Sequence, residues 1–125
     1  MDELINFEKT LKQLKSFVAL PIQNDRDKAG IIQAFEYTFE QCWKSLQKKA
    51  GHEGVQIGSP KRAFMFAFQN GWIKKDAEDV WLQMIEDRNL TSHTYKEDVA
   101  AEVLNRIVGQ YISCFDGLLG QLKVQ

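Results

Sequence analysis

Ile31-Ile-Gln-Ala-Phe35-Glu-Tyr-Thr-Phe39-Glu-Gln-Cys42-Trp43-Lys-Ser-Leu46 is the stretch that decides the fold. Ile32, Phe35, Phe39, Cys42 and Leu46 recur alternately three and four residues apart, and Ile31, Ala34 and Trp43 broaden the stripe. That period belongs to a helix with one face against a core. The helix is predicted to begin near Asp25 or Asp27 and to run to about Lys49, with Gly51 and Gly54 marking its end and a loop.

Upstream, Leu4, Phe7, Leu11, Leu14 and Val18 form a second stripe, stopped by Pro21 because proline disfavours helix in the residue before it. Downstream, Ser59-Pro60 reads as an N-cap followed by a first-turn proline. The short helix it opens carries Phe64, Ala67 and Phe68 and stops at Asn70-Gly71. A further helix is predicted from about Asp76 to about Leu90, with Val80, Trp81, Met84 and Ile85 as its apolar positions. Thr94-Tyr-Lys-Glu97 reads as a capping box opening a last long helix. That helix buries Val99, Val103 or Leu104, Ile107, Tyr111, Phe115 and Leu118 or Leu119, and ends near Leu122. No stretch alternates with period two for long enough to demand a strand. The expectation is all-α: a single-domain (1–125) antiparallel up-and-down helical bundle of four main helices plus one short helix.

Composition narrows the function classes. With 44% hydrophobic and 26% charged residues the chain is ordinary for a globular protein, and 125 residues suffice for one buried core. No apolar run approaches a membrane span, and the acidic amphipathic start is unlike a signal peptide, so a cytoplasmic location is expected. Cys42 and Cys114 each sit on an apolar helical face and read as buried reduced thiols. Only His52 and His93 are present, with no cysteine pairs at ligand spacing, so neither a structural zinc nor another cofactor is expected.

Arg88-Asn-Leu-Thr-Ser-His93-Thr-Tyr95 concentrates the chemistry. A guanidinium holds phosphate bidentately at any working pH, and an imidazole accepts and returns a proton near neutrality. Together they suit metal-free phosphodiester cleavage, in which a ribose 2′-OH loses its proton and attacks the adjacent phosphorus. The arginine would stabilise the charge building on the non-bridging oxygens. Taken singly, the same residues have plainer roles. His93 can bond backbone in a turn, and Arg88 can pair with Glu86 or Asp87. Tyr95 can be a core aromatic with a wet hydroxyl, and Thr91, Ser92 and Thr94 suit turns and caps. Trp43, Trp72, Trp81, Phe35 and Phe39 read as core or interface anchors rather than base-stacking platforms.

The spacing Arg-x4-His-x-Tyr, with Asn89 directly after the arginine, resembles the HepT-type HEPN ribonuclease motif. The run Phe35 to Lys44, then Ser59-Pro60, Gly71-Trp-Ile73 and Trp81-Leu-Gln-Met84 is similar to the branch called nucleotidyltransferase substrate-binding proteins. The resemblance implies a HEPN-like bundle and a symmetric dimer whose two motifs face one cleft, supplying acid and base from identical residues. It implies Arg88, His93 and Asn89 as catalytic residues, RNA as substrate, and a minimal nucleotidyltransferase as antitoxin partner. It also implies Tyr95 as the acceptor to which that partner adds AMP, filling the cleft with negative charge.

Charge along the chain complicates that expectation. Lys44, Lys48, Lys49, Lys61, Arg62, Lys74 and Lys75 face Glu53 alone between 44 and 75, whereas the motif lies in an acidic half. Lys44, Lys48, Lys61 and Arg62 are therefore expected RNA contacts only if they fold beside the motif or a second subunit supplies them. Two other readings stand beside the nuclease. One is a non-catalytic subunit that docks to a nucleotidyltransferase and positions its substrate; the other is a plain helical dimerisation domain.

Overall fold

The computed structural model describes residues 4–93 and 96–124, with the backbone alone at Ser92 and His93. The elements are α1 (Ile5–Val18), α2 (Asp25–His52), α3 (Pro60–Gln69), α4 (Glu78–His93), α5 (Glu97–Arg106), a π-helical segment (Ile107–Tyr111) and α6 (Ile112–Lys123). Because α5, the π segment and α6 run on without a break, the described residues form four main helices plus the short α3, as the stripes predict. A turn of 3-10 helix, Lys75–Ala77, leads into α4.

Local chemistry sets most of the ends. Asn24 caps α2, its side chain accepting from the Asp27 amide, and Ser59 caps α3 in the same way from the Arg62 amide. Gly54 and Gly71 have φ of 77° and 75°. Each closes its helix with a doubled turn: Val55 N–H reaches Ala50 O at 2.9 Å, and Trp72 N–H reaches Ala67 O at 2.9 Å. The second turn folds Trp72 back onto Phe66, ring centroids 5.5 Å apart.

The core is a chain of aromatic contacts along the stripes. Phe35 lies at its centre, touching Phe39, Tyr111 and Phe115, while Phe64 and Trp81 join α3 and α4 to it. Trp81 is buried, Trp72 nearly so, and Trp43 is half-buried with its indole N–H donated to Glu40. Antiparallel packing of α1 on α6 is visible in two ion pairs, Lys15 with Asp116 and Glu8 with Lys123. Among the described residues no helix is long and apolar enough to cross a membrane.

Two boundaries differ from the sequence expectation. Helix α4 does not stop near Leu90 but continues through His93. No glycine or proline interrupts it, and the Thr91 hydroxyl is satisfied inside the helix, by Arg88 O at 3.1 Å and by the Glu36 carboxylate of α2 at 2.9 Å. A threonine bonded in this way does not act as a cap. The N-cap of α5 is Lys96, two residues beyond the expected Thr94, with Ala100 N–H bonding to Lys96 O at 2.8 Å. The predicted capping box includes Thr94 and Tyr95, which lie outside the described residues.

Candidate active site on α4

Arg88 lies on α4, five residues before its end, rather than in the last turn beside a stop. Positions 88 and 93 are therefore about 140° apart around the helix axis and about 7.5 Å apart along it. Asn89 is exposed. The side chains of Ser92 and His93, and Thr94 and Tyr95 altogether, lie outside the described residues.

The Arg88 guanidinium reaches across to α2 rather than to the adjacent Glu86 or Asp87. Its Nη1 lies 3.6 Å from Glu36 Oε2, with side chains 27% and 23% exposed. Glu36 Oε2 also accepts the Thr91 hydroxyl. An open groove of about 420 Å³ runs past this pair, bounded by Arg26, Gly30, Gln33, Glu36 and Thr91.

Asp87 belongs to a different network, which the sequence reading missed. It is a charged side chain with no exposure. Arg106 grips it with a fork, Nε donating to Oδ2 at 2.7 Å and Nη2 to Oδ1 at 2.8 Å. The Tyr111 hydroxyl donates to Oδ2 at 2.5 Å, and Gln83 Nε2 donates to Oδ1 at 3.2 Å. Burial, the hydrogen bond to Asp87 and that carboxylate's charge all push the Tyr111 phenol above its ordinary range. The same carboxylate, through its hydrogen bonds, holds the Arg106 guanidinium protonated more firmly still, against the opposing effect of burial. A signal did exist in the sequence, since Asp87 continues the Trp81–Met84 phase into the core, where an acid demands a partner.

The cations singled out for RNA do not gather at the motif within one protomer. Lys44 and Lys48 stand eight and twelve residues beyond Glu36 on α2, about 12 and 18 Å along its axis. Lys44 pairs with Glu40, while Lys61 and Arg62 lie in the first turn of α3, with Arg62 beside Gln47 in the far half of α2. Arg26, ten residues before Glu36 on α2 and about 15 Å away along its axis, lines the same groove as Glu36 and Thr91.

This bundle, with the arginine motif on the helix before the last long one, is HEPN-like. A tri-AMPylated HEPN toxin of Shewanella oneidensis, solved in complex with its MNT antitoxin, matches at TM-score 0.81 and 16% identity, covering 99% of this chain and 96% of that one. A mutant of the toxin–antitoxin pair MntA-HpeT matches at TM-score 0.80 and 15% identity, covering 99% and 96%. A crystal structure from Thermus thermophilus is 35% identical, at TM-score 0.84, and covers 93% of this chain and 98% of that one. The chain belongs to the family described as nucleotidyltransferase substrate binding protein like, whose model matches residues 2–124. No curated protein matches it.

Proposed function

We propose that the protein is a HepT-like endoribonuclease that works as a homodimer without a metal and is neutralised by a partner nucleotidyltransferase. The observation that carries this reading is the placement of Arg88 and Asn89 on the last turns of the helix that ends at His93, within a turn of Thr91, which with Glu36 borders an open groove. In the reaction His93 takes the proton of a ribose 2′-OH, and the 2′ oxygen attacks the adjacent phosphorus. Arg88 neutralises the non-bridging oxygens and Asn89 orients the phosphate. The 5′ oxygen leaves with a proton from His93 of the second copy, giving a 2′,3′-cyclic phosphate and a 5′-hydroxyl. The angle of about 140° between positions 88 and 93 favours a cleft completed by two copies. So do the exposed apolar side chains of Leu82 and Leu90 on α4 and Val108 on the π segment. Lys44, Lys48, Lys61 and Arg62 reach RNA only from such a second copy or along a longer strand. The partner transfers AMP from ATP to the Tyr95 hydroxyl with loss of pyrophosphate, and the added charge occupies Arg88. The AMP-bearing HEPN toxin of the same fold supports that last step.

A second reading, a non-catalytic subunit that positions substrate for the nucleotidyltransferase, is favoured by one observation. Glu36 already neutralises Arg88, while the lysine-rich end of the bundle lies elsewhere. Incubation with RNA in excess chelator, beside Arg88→Ala and His93→Ala, separates the two. Cleavage abolished in both variants is the expected result. Cleavage that persists unchanged in both removes the nuclease. A wild type that cleaves nothing yet binds a nucleotidyltransferase tightly establishes the second reading. Intact mass should rise by AMP increments with partner and ATP, and a rise that survives Tyr95→Phe rejects the modification site.

A further inference from the structure

The π segment has a geometric consequence. Arg106 and Tyr111 are five residues apart, which on an α-helix would set them about 140° apart. A π turn bonds i to i+5 and so closes nearly one revolution over that interval, bringing both side chains onto one face. Both then reach the same carboxylate, Asp87, which has no exposure.

We infer that Asp87, Arg106 and Tyr111 are positioning residues: their clamp fixes the rotation of α4 about its axis, and with it the direction in which Arg88 is presented. In its catalytic half this inference rests on the nuclease reading above. Packing of apolar side chains tolerates sliding and rotation, whereas a forked arginine–carboxylate pair with a third directed bond does not. Turning α4 would strip a buried charge of these bonds, so the helix is held in one setting. The clamp also brackets the motif in the chain, because Asp87 on α4 directly precedes it and Arg106 lies on α5, the next helix. The next residue, Arg88, is tied instead to α2 through Glu36. Consecutive residues thus fasten α4 to two different helices at the start of the motif.

The test uses Tyr111→Phe, which keeps the ring stacked on Phe35 (centroids 5.5 Å apart) and loses only the donor, together with Arg106→Lys, which keeps the charge and loses the fork. Hydrogen exchange is followed in peptides covering 86–93 and 97–106, with α1 and α2 as internal reference. Exchange in these two peptides is expected to rise about tenfold more than in the reference. RNA cleavage is expected to lose roughly ten- to a hundredfold in kcat with KM nearly unchanged, the signature of misplaced rather than missing contacts. If exchange rises equally everywhere, or both variants keep the wild-type kcat while Arg88→Ala loses it, the clamp is merely structural and the inference falls alone. If Arg88→Ala cleaves like wild type, or wild type does not cleave, the nuclease reading falls and the exchange pattern by itself decides the clamp.

Discussion

Asp87 and Arg88 are consecutive on α4 yet bound to different parts of the bundle. The carboxylate is forked by Arg106 and capped by the Tyr111 hydroxyl, while the guanidinium faces Glu36 of α2. Their environments differ as much as their partners: Asp87 has no exposure, and the Arg88 side chain is 27% exposed. A buried ion gripped by short, directed bonds and a part-solvated ion in a longer pair should respond very differently to substitution.

Arg106→Ala leaves the Asp87 carboxylate buried without its fork and is expected to cost about 3–5 kcal/mol in denaturant unfolding. Glu36→Ala breaks a longer, part-exposed pair, and its cost is expected to stay below about 1 kcal/mol. Equal costs for the two would contradict the burial of Asp87.

Alkaline pH should reach the clamp through Tyr111. Its phenol is raised above the ordinary value of 10.0, so the folded state holds that proton more tightly than the unfolded chain. The corresponding stability is present in full below the unfolded value and is lost as pH rises through the folded one. Unfolding free energy measured from about pH 9 to pH 12 should therefore fall more steeply for wild type than for Tyr111→Phe. Parallel curves would show that Tyr111 contributes nothing to that loss.

The two cysteines should differ towards thiol reagents. Burial, and secondarily the charge of Cys114, pushes the Cys42 thiol well above its ordinary range, and burial raises Cys114 less. Mass mapping of the native protein is expected to find Cys114 modified first and Cys42 only with unfolding. Early labelling of Cys42 would mean that the inner face of α2 is open.

Phe35→Ala removes the ring at the centre of the aromatic chain and is expected to destabilise by about 3–5 kcal/mol. Phe17→Ala, at a side chain 38% exposed, should change stability by no more than about 1 kcal/mol. Thermal unfolding of the pair ranks them; a Phe17 effect as large as that of Phe35 would overturn the assigned core.

The candidate motif is legible in the sequence as letters alone. The spacing of Arg88, Asn89, His93 and Tyr95 singled out the motif, because a recurring residue pattern is a property of the chain alone. The partner of Arg88 was not legible. Glu86 and Asp87 are its acidic neighbours in the chain, whereas Glu36, with which it pairs, is more than fifty residues away. The end of α4 was misplaced for a related reason: whether Thr91 caps or continues a helix depends on a carboxylate from another helix.

Helix number, order and inward faces were determined by the amino-acid sequence, since periodic apolar positions and caps such as Asn24 and Ser59 act within a few residues of themselves. Tertiary structure alone decided that Arg106 and Tyr111 share one carboxylate, because that depends on an inserted π turn and on the depth at which Asp87 is buried. It also decided that Arg26 lines the groove bordered by Glu36 and Thr91, and that Lys44, Lys48, Lys61 and Arg62 do not. Helical periodicity assigns residues to faces; which faces meet, and at what height along the bundle, is settled only when the helices pack.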